Sequence, residues 1–370
     1  MNLQDRKGIT LVALAVTITV LIILATISIN GIIGENGLAE QAKKIEKIQE
    51  DKISNREAQT NELEGKYENT MTSTTIPSNP STGPNGKTLV TVLTARQTNT
   101  VIAEDELGKQ VVVPADFKVR ADLAKKVDEG IVIEDKLGNQ FVWVPVATIA
   151  DYKRTWYTGW GSFSEYLETL PEDEKTSVER YKGFYIGRYE AGDKENTEAK
   201  TLRSSNDVTK TVTIKANQAP YNYVTRTQAK SLAEGFKTQQ NYSSTIKTKL
   251  VSSYAWDTAI AFLQKVNSDY GSSSEEGNYT DTTFSYTDIT GATKTKAKNS
   301  SVLVPTGQTT PVCNIYDMGG NVWEWTTETF SNSSLSTFTE CGGGYGSSYS
   351  DCSAGYRDGG TNEISDKRRF

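Results

Sequence analysis

Residues 8–33 form one apolar run with no charged side chain, bounded by Arg6-Lys7 in front and Glu35 behind. About 20 consecutive apolar residues suffice for a helix to cross a bilayer. The rest of the chain is polar, since hydrophobic residues make up only 36% of it even with this run included. A membrane-length helix over 9–34 followed by a large water-facing part is therefore expected. Basic residues ahead of such a helix stay inside, which places the remainder outside.

The leader 1–8 ends in Lys7-Gly8, directly before Ile9-Thr10-Leu11-Val12. This arrangement resembles a type IV prepilin signal. The resemblance implies cleavage between Gly8 and Ile9, with the helix retained on the mature chain, unlike an ordinary secretory peptide. An uncleaved signal anchor is the alternative. The fifth residue from Ile9 is Ala13, where pilins carry a glutamate that neutralises a neighbour's N-terminus. That departure points to a minor or tip subunit, or to a chain that never assembles.

Histidine is absent from the 370 residues. It is the commonest metal ligand and the usual base near neutral pH. Its absence excludes serine–histidine triads, histidine-built zinc sites and histidine-ligated iron within this chain. The net charge of −6 gives no basic face for nucleic acid. The three cysteines, Cys313, Cys341 and Cys352, contain no CxxC pair. They allow one disulfide with one thiol left over; Cys341–Cys352 and Cys313–Cys341 are both open.

Residues 35–68 read as a charged helical stalk, with Leu38, Ala42, Ile45 and Ile48 at helical spacing. In 69–87, sixteen of nineteen residues are Ser, Thr, Asn, Pro or Gly, which predicts an extended linker. A strand-rich lead-in (88–124) follows, and then a domain from 125 to 370. Strands are expected over 89–93, 110–113, 130–134 and 140–145, punctuated by Leu107-Gly108 and Leu137-Gly138. Thr225 with Gln228 makes a capping box for a helix over 225–236. A second helix over 253–267 carries Trp256, Ile260 and Leu263 on one face. The polar stretch 267–300 reads as an irregular insertion, and no internal repeat is read in the chain. The expected fold class is α+β.

Three segments taken in order resemble the formylglycine-generating-enzyme family, a branch of the C-type-lectin fold. They are Gly183–Glu190 (GFYIGRYE), Tyr254–Asp257 (YAWD) and Asn314–Thr326 (NIYDMGGNVWEWT). The resemblance implies a loop-rich lectin-like domain over 125–370. A strand through Trp323 and Trp325 puts both rings on one buried face. The resemblance also implies a structural calcium ion held by Asn321, Glu324 and the carbonyl of Val322; a turn cap at Asn321 and a backbone bond from Glu324 are the alternatives.

Sulfatase-activating members of that family bind copper through a cysteine pair downstream of Arg-Gly-Gly-Ser. Here the stretch is Cys341-Gly342-Gly343-Gly344-Tyr345; the resemblance puts the first cysteine position near Ser347 and the second near Cys352. One thiolate is missing, so no copper is expected. The iron-dependent branch of the family needs several histidines, which this chain lacks, so no iron is expected either, and no catalytic residue is assigned. The last 29 residues hold 20 of Gly, Ser, Tyr, Asp, Asn and Thr. All are reached from the asparagine codon AAC by changing adenines, and the chain ends in Arg368-Arg369-Phe370. In this it resembles the variable proteins of diversity-generating retroelements, which implies a variable region over 342–370.

Tyrosine offers rigid contact area, and Ser, Gly and Asn adaptable polar contacts. The expected ligand contacts are Tyr345, Gly346, Ser347, Ser348, Tyr349, Ser350, Asp351, Ser353, Gly355, Tyr356, Asp358, Thr361 and Asn362. Gly342, Gly343, Arg357 and Arg368 read as structural. The whole reads as a non-catalytic recognition protein at the cell surface, sited in some cases at a pilus tip. Its partners would be the membrane, pilus subunits, and a protein or carbohydrate ligand. An exported enzyme of altered chemistry and a structural minor pilin are the alternatives. Mass spectrometry of the mature N-terminus is expected to find Ile9 as the first residue; an intact Met1 in surface-exposed protein leaves only the signal anchor.

Overall fold

The computed structural model describes residues 81–155, 168–332, 335–360 and 364–369. The leader with Gly8 and Ile9, the apolar run, the stalk and most of the linker lie outside these residues. No helix among the described residues is long and apolar enough to cross a membrane.

The strands are β1 (Val101–Glu104), β2 (Gln110–Val113), β3 (Lys118–Val119), β4 (Val132–Glu134), β5 (Gln140–Pro145), β6 (Gly183–Gly187), β7 (Gly192–Asp193), β8 (Val212–Thr213), β9 (Ala219–Pro220), β10 (Phe284–Thr287), β11 (Thr293–Lys296), β12 (Trp323–Asn332), β13 (Leu335–Cys341), β14 (Arg357–Gly360) and β15 (Arg368–Arg369). The helices are α1 (Glu172–Tyr181), α2 (Lys194–Glu198), α3 (Arg226–Gln239) and α4 (Ser253–Leu263). The result is α+β. One four-stranded sheet runs β3-β4-β5-β6 and another runs β14-β13-β12-β15. In the second sheet β15 lies parallel to β12, while the other pairs are antiparallel.

The lead-in repeats a hairpin that the sequence reading overlooked. Glu104-Asp105-Glu106-Leu107-Gly108-Lys109-Gln110 and Glu134-Asp135-Lys136-Leu137-Gly138-Asn139-Gln140 turn in the same way. Asp105 Oδ1 accepts from the Leu107 and Lys109 amides at 2.9 and 2.8 Å. Asp135 Oδ1 accepts from the Leu137 and Asn139 amides at 2.8 and 2.8 Å. Gly108 and Gly138 both take positive φ, 77° and 86°, which glycine adopts without a Cβ clash. The first hairpin docks on the sheet of the second. Trp143 Nε1 donates to the Gln110 carbonyl at 3.0 Å, and the Tyr185 hydroxyl donates to the Val112 carbonyl at 2.8 Å.

The strands expected at 110–113 and 140–145 form at those positions, and that at 130–134 begins two residues later. Residues 89–93 do not extend: Val90–Val92 is a single 3-10 turn. The linker ends earlier than expected, because 81–87 is folded. Gly83 donates to the Lys87 carbonyl at 2.8 Å, and the Asn85 amide donates to Glu104 at 2.8 Å. The stretch 267–300 is not wholly irregular, since β10 and β11 pair across an Asp288–Ala292 turn. Its Thr, Lys and Tyr alternation is a strand signal that the polarity masked.

Both helices near the site begin as expected. At α3 the Thr225 hydroxyl accepts from the Gln228 amide, and Gln228 Oε1 accepts from the Thr225 amide. At α4 the Ser252 hydroxyl accepts from the Ala255 amide at 3.1 Å. Helix α4 ends at Leu263, four residues early, and is buried on nearly every side. Trp256, Ala259, Ile260 and Leu263 lie in one core cluster with Val132, Val142, Ile315 and Cys341. The two signature tryptophans differ. Trp325 is fully buried and donates to the Val224 carbonyl at 3.1 Å. Trp323 is only half-buried, because beyond it lies the loop after β13 rather than a helix.

Trp325→Ala is expected to cost about 3–5 kcal/mol in urea unfolding, and Trp323→Ala clearly less. Asp317 yields a pH test. Burial raises its carboxyl from 3.8 to about 7, against the pull of the Gly307 amide and the Thr309 hydroxyl. Glu340 is raised in the same sense, to about 7, by burial that Arg368 only partly offsets. A raised folded-state pKa means that the native state holds the proton more tightly. Stability from these groups is full below their unfolded values and is lost as pH rises through about 7. Melting temperatures should fall between about pH 5 and pH 8, and Asp317→Asn should flatten part of that fall.

Candidate functional site

Strands β13 and β14 pair Cys341 with Arg357, so the residues between them form a loop closed at its base. Gly342 and Gly343 start it at φ 90° and 72°. A Cβ on Gly342 would lie 2.1 Å from Glu324 Oε2, and one on Gly343 would lie 2.1 Å from the Cys352 carbonyl. The glycines therefore let the loop fold back on itself.

The tip is held mostly through main chain. The Ser347 amide donates to the Gly344 carbonyl and the Cys352 amide to the Ser348 carbonyl, at 2.8 and 2.9 Å. The Ser347 carbonyl accepts from the Thr280 amide at 2.8 Å and its hydroxyl at 3.1 Å. Asp281 accepts from the Ser348 hydroxyl at 2.6 Å and the Tyr349 amide at 3.2 Å. The Tyr349 hydroxyl reaches Glu275 at 3.0 Å. The Tyr345 hydroxyl donates to Asp366 at 2.7 Å.

The expected contacts separate into two groups. Gly346, Ser350 and Asp351 are exposed, and Tyr345, Ser347, Ser348, Tyr349 and Asp358 are half-exposed. These eight lie on the loop or at its base. Three others are corrected to structural roles. Tyr356 is buried, its ring edge-on to Trp323 with centroids 5.7 Å apart. Ser353 is buried and donates to the Gly271 carbonyl at 2.6 Å. Gly355 is buried, its amide on the same carbonyl at 3.0 Å. All three lie on the return limb, which packs inward before β14. Thr361 and Asn362 lie outside the described residues.

Beneath the loop lies a charge cluster that sequence reading assembled only in part. Arg357, read as structural, is buried and bonds both Glu328, at 2.8 Å, and Asp257. Arg154 bonds the other oxygen of Glu328. The Thr155 amide donates to Asp257 at 2.7 Å. Asp257 was visible as a lone charge inside an otherwise apolar helix; Glu328 and Arg154 carried no such signal. Burial pushes the Asp257 carboxyl up to about 6, against the opposing pull of Arg357.

The cysteines are all free, so neither expected disulfide is formed. Cys341 is fully buried in the core and its thiol is pushed well up. Cys352 is half-buried in hydrogen-bond contact with Ser347, and burial raises its thiol to about 11. The two positions expected to correspond to a thiolate pair are thus neighbours, as a hydroxyl and a protonated thiol. A hard hydroxyl and a neutral thiol do not fit a copper site.

Of the trio expected to hold calcium, Asn321 has its side-chain oxygen already engaged. Both lone pairs of Asn321 Oδ1 are taken, by Asn278 Nδ2 at 2.9 Å and the Val304 amide at 3.2 Å. Its Nδ2 donates to Glu190 at 2.7 Å. No group of three or more His, Cys, Asp or Glu among the described residues is arranged to hold a metal ion.

No curated protein matches the chain. A solved structure titled "Crystal Structure of CarF" is 19% identical, with a TM-score of 0.30; the match covers 41% of this chain and 65% of that one. The chain thus spans less than two thirds of that structure's length. Residues 161–368 match the family described as the sulfatase-modifying factor enzyme 1-like domain. That match takes in α1 to α4 and every strand from β6 to the start of β15, including the charge cluster's Asp257, Glu328 and Arg357. With more than half of its length matched, the chain belongs to this FGE-sulfatase family.

Proposed function

We propose that this chain is a non-catalytic, ligand-binding member of its family, displayed at the cell surface, with residues 345–351 as the recognition loop. The observation that carries the reading is the Ser347–Cys352 pair. Oxidative chemistry at a cysteine pair needs two sulfurs, and a reactive thiol needs an electropositive setting that stabilises the thiolate. Here one sulfur is a hydroxyl, and Asp351 and Asp358 add to the burial that keeps Cys352 protonated.

The loop also has the form of a recognition surface. Its backbone is fixed by bonds that depend little on side-chain identity, and Tyr345, Gly346, Tyr349, Ser350 and Asp351 reach solvent. Two ordered tyrosines beside small polar residues supply contact area with little rotamer entropy to lose. The adenine-reachable composition of 342–370 extends the reading to a loop diversified by a retroelement. Among the described residues, such variation would fall on 345–351 and Asp358, since Ser353, Gly355 and Tyr356 are packed. The apolar run 9–34 and its pilin-like leader are the basis for surface display. Family membership favours the rival reading of an exported enzyme with altered chemistry.

Two measurements separate these readings. A sulfatase-type cysteine peptide, given copper and oxygen, should remain unoxidised in the presence of the protein. Turnover that disappears on Cys352→Ser establishes the enzyme instead. On arrays of glycans and surface proteins, the wild type should retain a ligand that the Tyr345→Ser/Tyr349→Ser double variant binds at least roughly tenfold more weakly. The melting temperature of that variant should be almost unchanged.

A further inference from the structure

Lys296, at the end of β11, is 1% exposed. Its ammonium forms no salt bridge among the described residues; it donates instead to the main-chain carbonyls of Thr282, at 2.8 Å, and Thr280, at 3.4 Å. The Phe284 ring lies 6.0 Å from the charge. Burying an ammonium on neutral acceptors is unfavourable, and burial accordingly lowers the Lys296 pKa while the charge of Asp281 opposes this. The two carbonyls that Lys296 holds bracket Asp281. Asp281 and Thr280 in turn make four hydrogen bonds to Ser347, Ser348 and Tyr349. The Asn299 amide adds a further bond to the Thr280 carbonyl, at 2.6 Å. The polar insertion thus runs without a break from its hairpin, through one buried cation, to the exposed loop.

We propose that Lys296 and Asp281 are positioning residues for the recognition loop, with the β10–β11 hairpin as the platform that holds residues 347–349 in their binding conformation. The inference rests on the reading of 345–351 as the ligand face. A purely structural lysine would be expected to stabilise the fold as a whole. A positioning lysine acts on the local opening of this loop, because its bonds end on the turn that the loop grips.

Hydrogen exchange and cysteine alkylation on the full chain read that opening without a ligand. Lys296→Met and Asp281→Ala are each expected to speed exchange of the Tyr349 and Ser347 amides by roughly tenfold or more. Alkylation of Cys352 should accelerate in parallel, while Cys341 stays unreactive and Cys313 unchanged. Asp281→Asn keeps an acceptor oxygen and should restore most of the protection. If Asp281→Ala leaves loop exchange and Cys352 alkylation at wild-type rates, the proposal is overturned. Should Lys296→Met unfold the domain, seen as reactive Cys341, the Asp281 pair of variants still decides. The array measurement stands apart: a wild type that binds nothing refutes the recognition reading, whereas the exchange rates judge the clamp alone.

Discussion

Arg357 is the fixed point on which the β13–β14 loop depends. One guanidinium joins α4 through Asp257, β12 through Glu328, and its own strand β14, while Arg154 closes the far side of Glu328. Three of these charges, Arg357, Asp257 and Glu328, are buried while Arg154 reaches solvent, and buried charges are tolerable only when they are paired. Removing one partner of such a set typically costs about 3–5 kcal/mol, because a charge is left behind. The geometry matters as much as the energy. Arg357 faces Cys341 across β13 and β14, so the cluster fixes both ends of the loop that carries the exposed candidates Gly346, Ser350 and Asp351. The loop can be irregular because its base is not.

The same cluster determines what the cysteines can do. Burial is the main cause that pushes the Cys341 thiol up; Arg357 opposes it, and Glu328, Asp257 and Glu324 act in the same sense as burial. Cys352 is flanked by Asp351 and Asp358. A nucleophilic thiolate needs positive charge nearby, and here the available cation is already bound to two carboxylates. Burial is thus the main cause that holds both thiols protonated, with the neighbouring carboxylates adding to it.

Much of the fold was legible where local signals were strong and unopposed. The capping box at Thr225 and Gln228 works through contacts within one turn, and α3 forms where it predicts. Strands β2 and β5 are short runs rich in apolar, β-branched residues, each preceded by a Leu-Gly turn, so they form as expected. What the sequence hid was tertiary. Trp323 and Trp325 share a strand face, yet one is buried and one is not, because the neighbour over each ring comes from a distant segment. Tyr356 and Tyr349 have the same composition-based claim to a binding surface. Only the inward return of the chain after Cys352 separates them. Asn321 offered hard oxygen for calcium, but the partners that fill its lone pairs, Asn278 and Val304, lie 43 and 17 residues away in sequence.

The repeated hairpin argues that the matched family segment does not stand alone. The indole of Trp143 and the phenol of Tyr185 belong to the β5–β6 pair, and both bond to carbonyls of β2 in the first copy. A core cluster runs through the same contact, joining Val111, Val113, Phe117 and Val119 to Ile131, Ile133 and Trp143. Without residues 88–119, the outer face of β5 would expose a large indole whose N–H has lost its acceptor, a penalty in both apolar area and hydrogen bonding. The two hairpins differ where the fold needs them to differ. Asp105 Oδ2 receives the Val127 amide at 2.8 Å, whereas Asp135 Oδ2 receives the Tyr242 hydroxyl at 2.6 Å. One copy thereby ties the lead-in to the start of the domain that carries the loop. The other ties that domain's own hairpin to the chain after α3, so one turn, used twice and changed at its outer oxygen, makes two different joints.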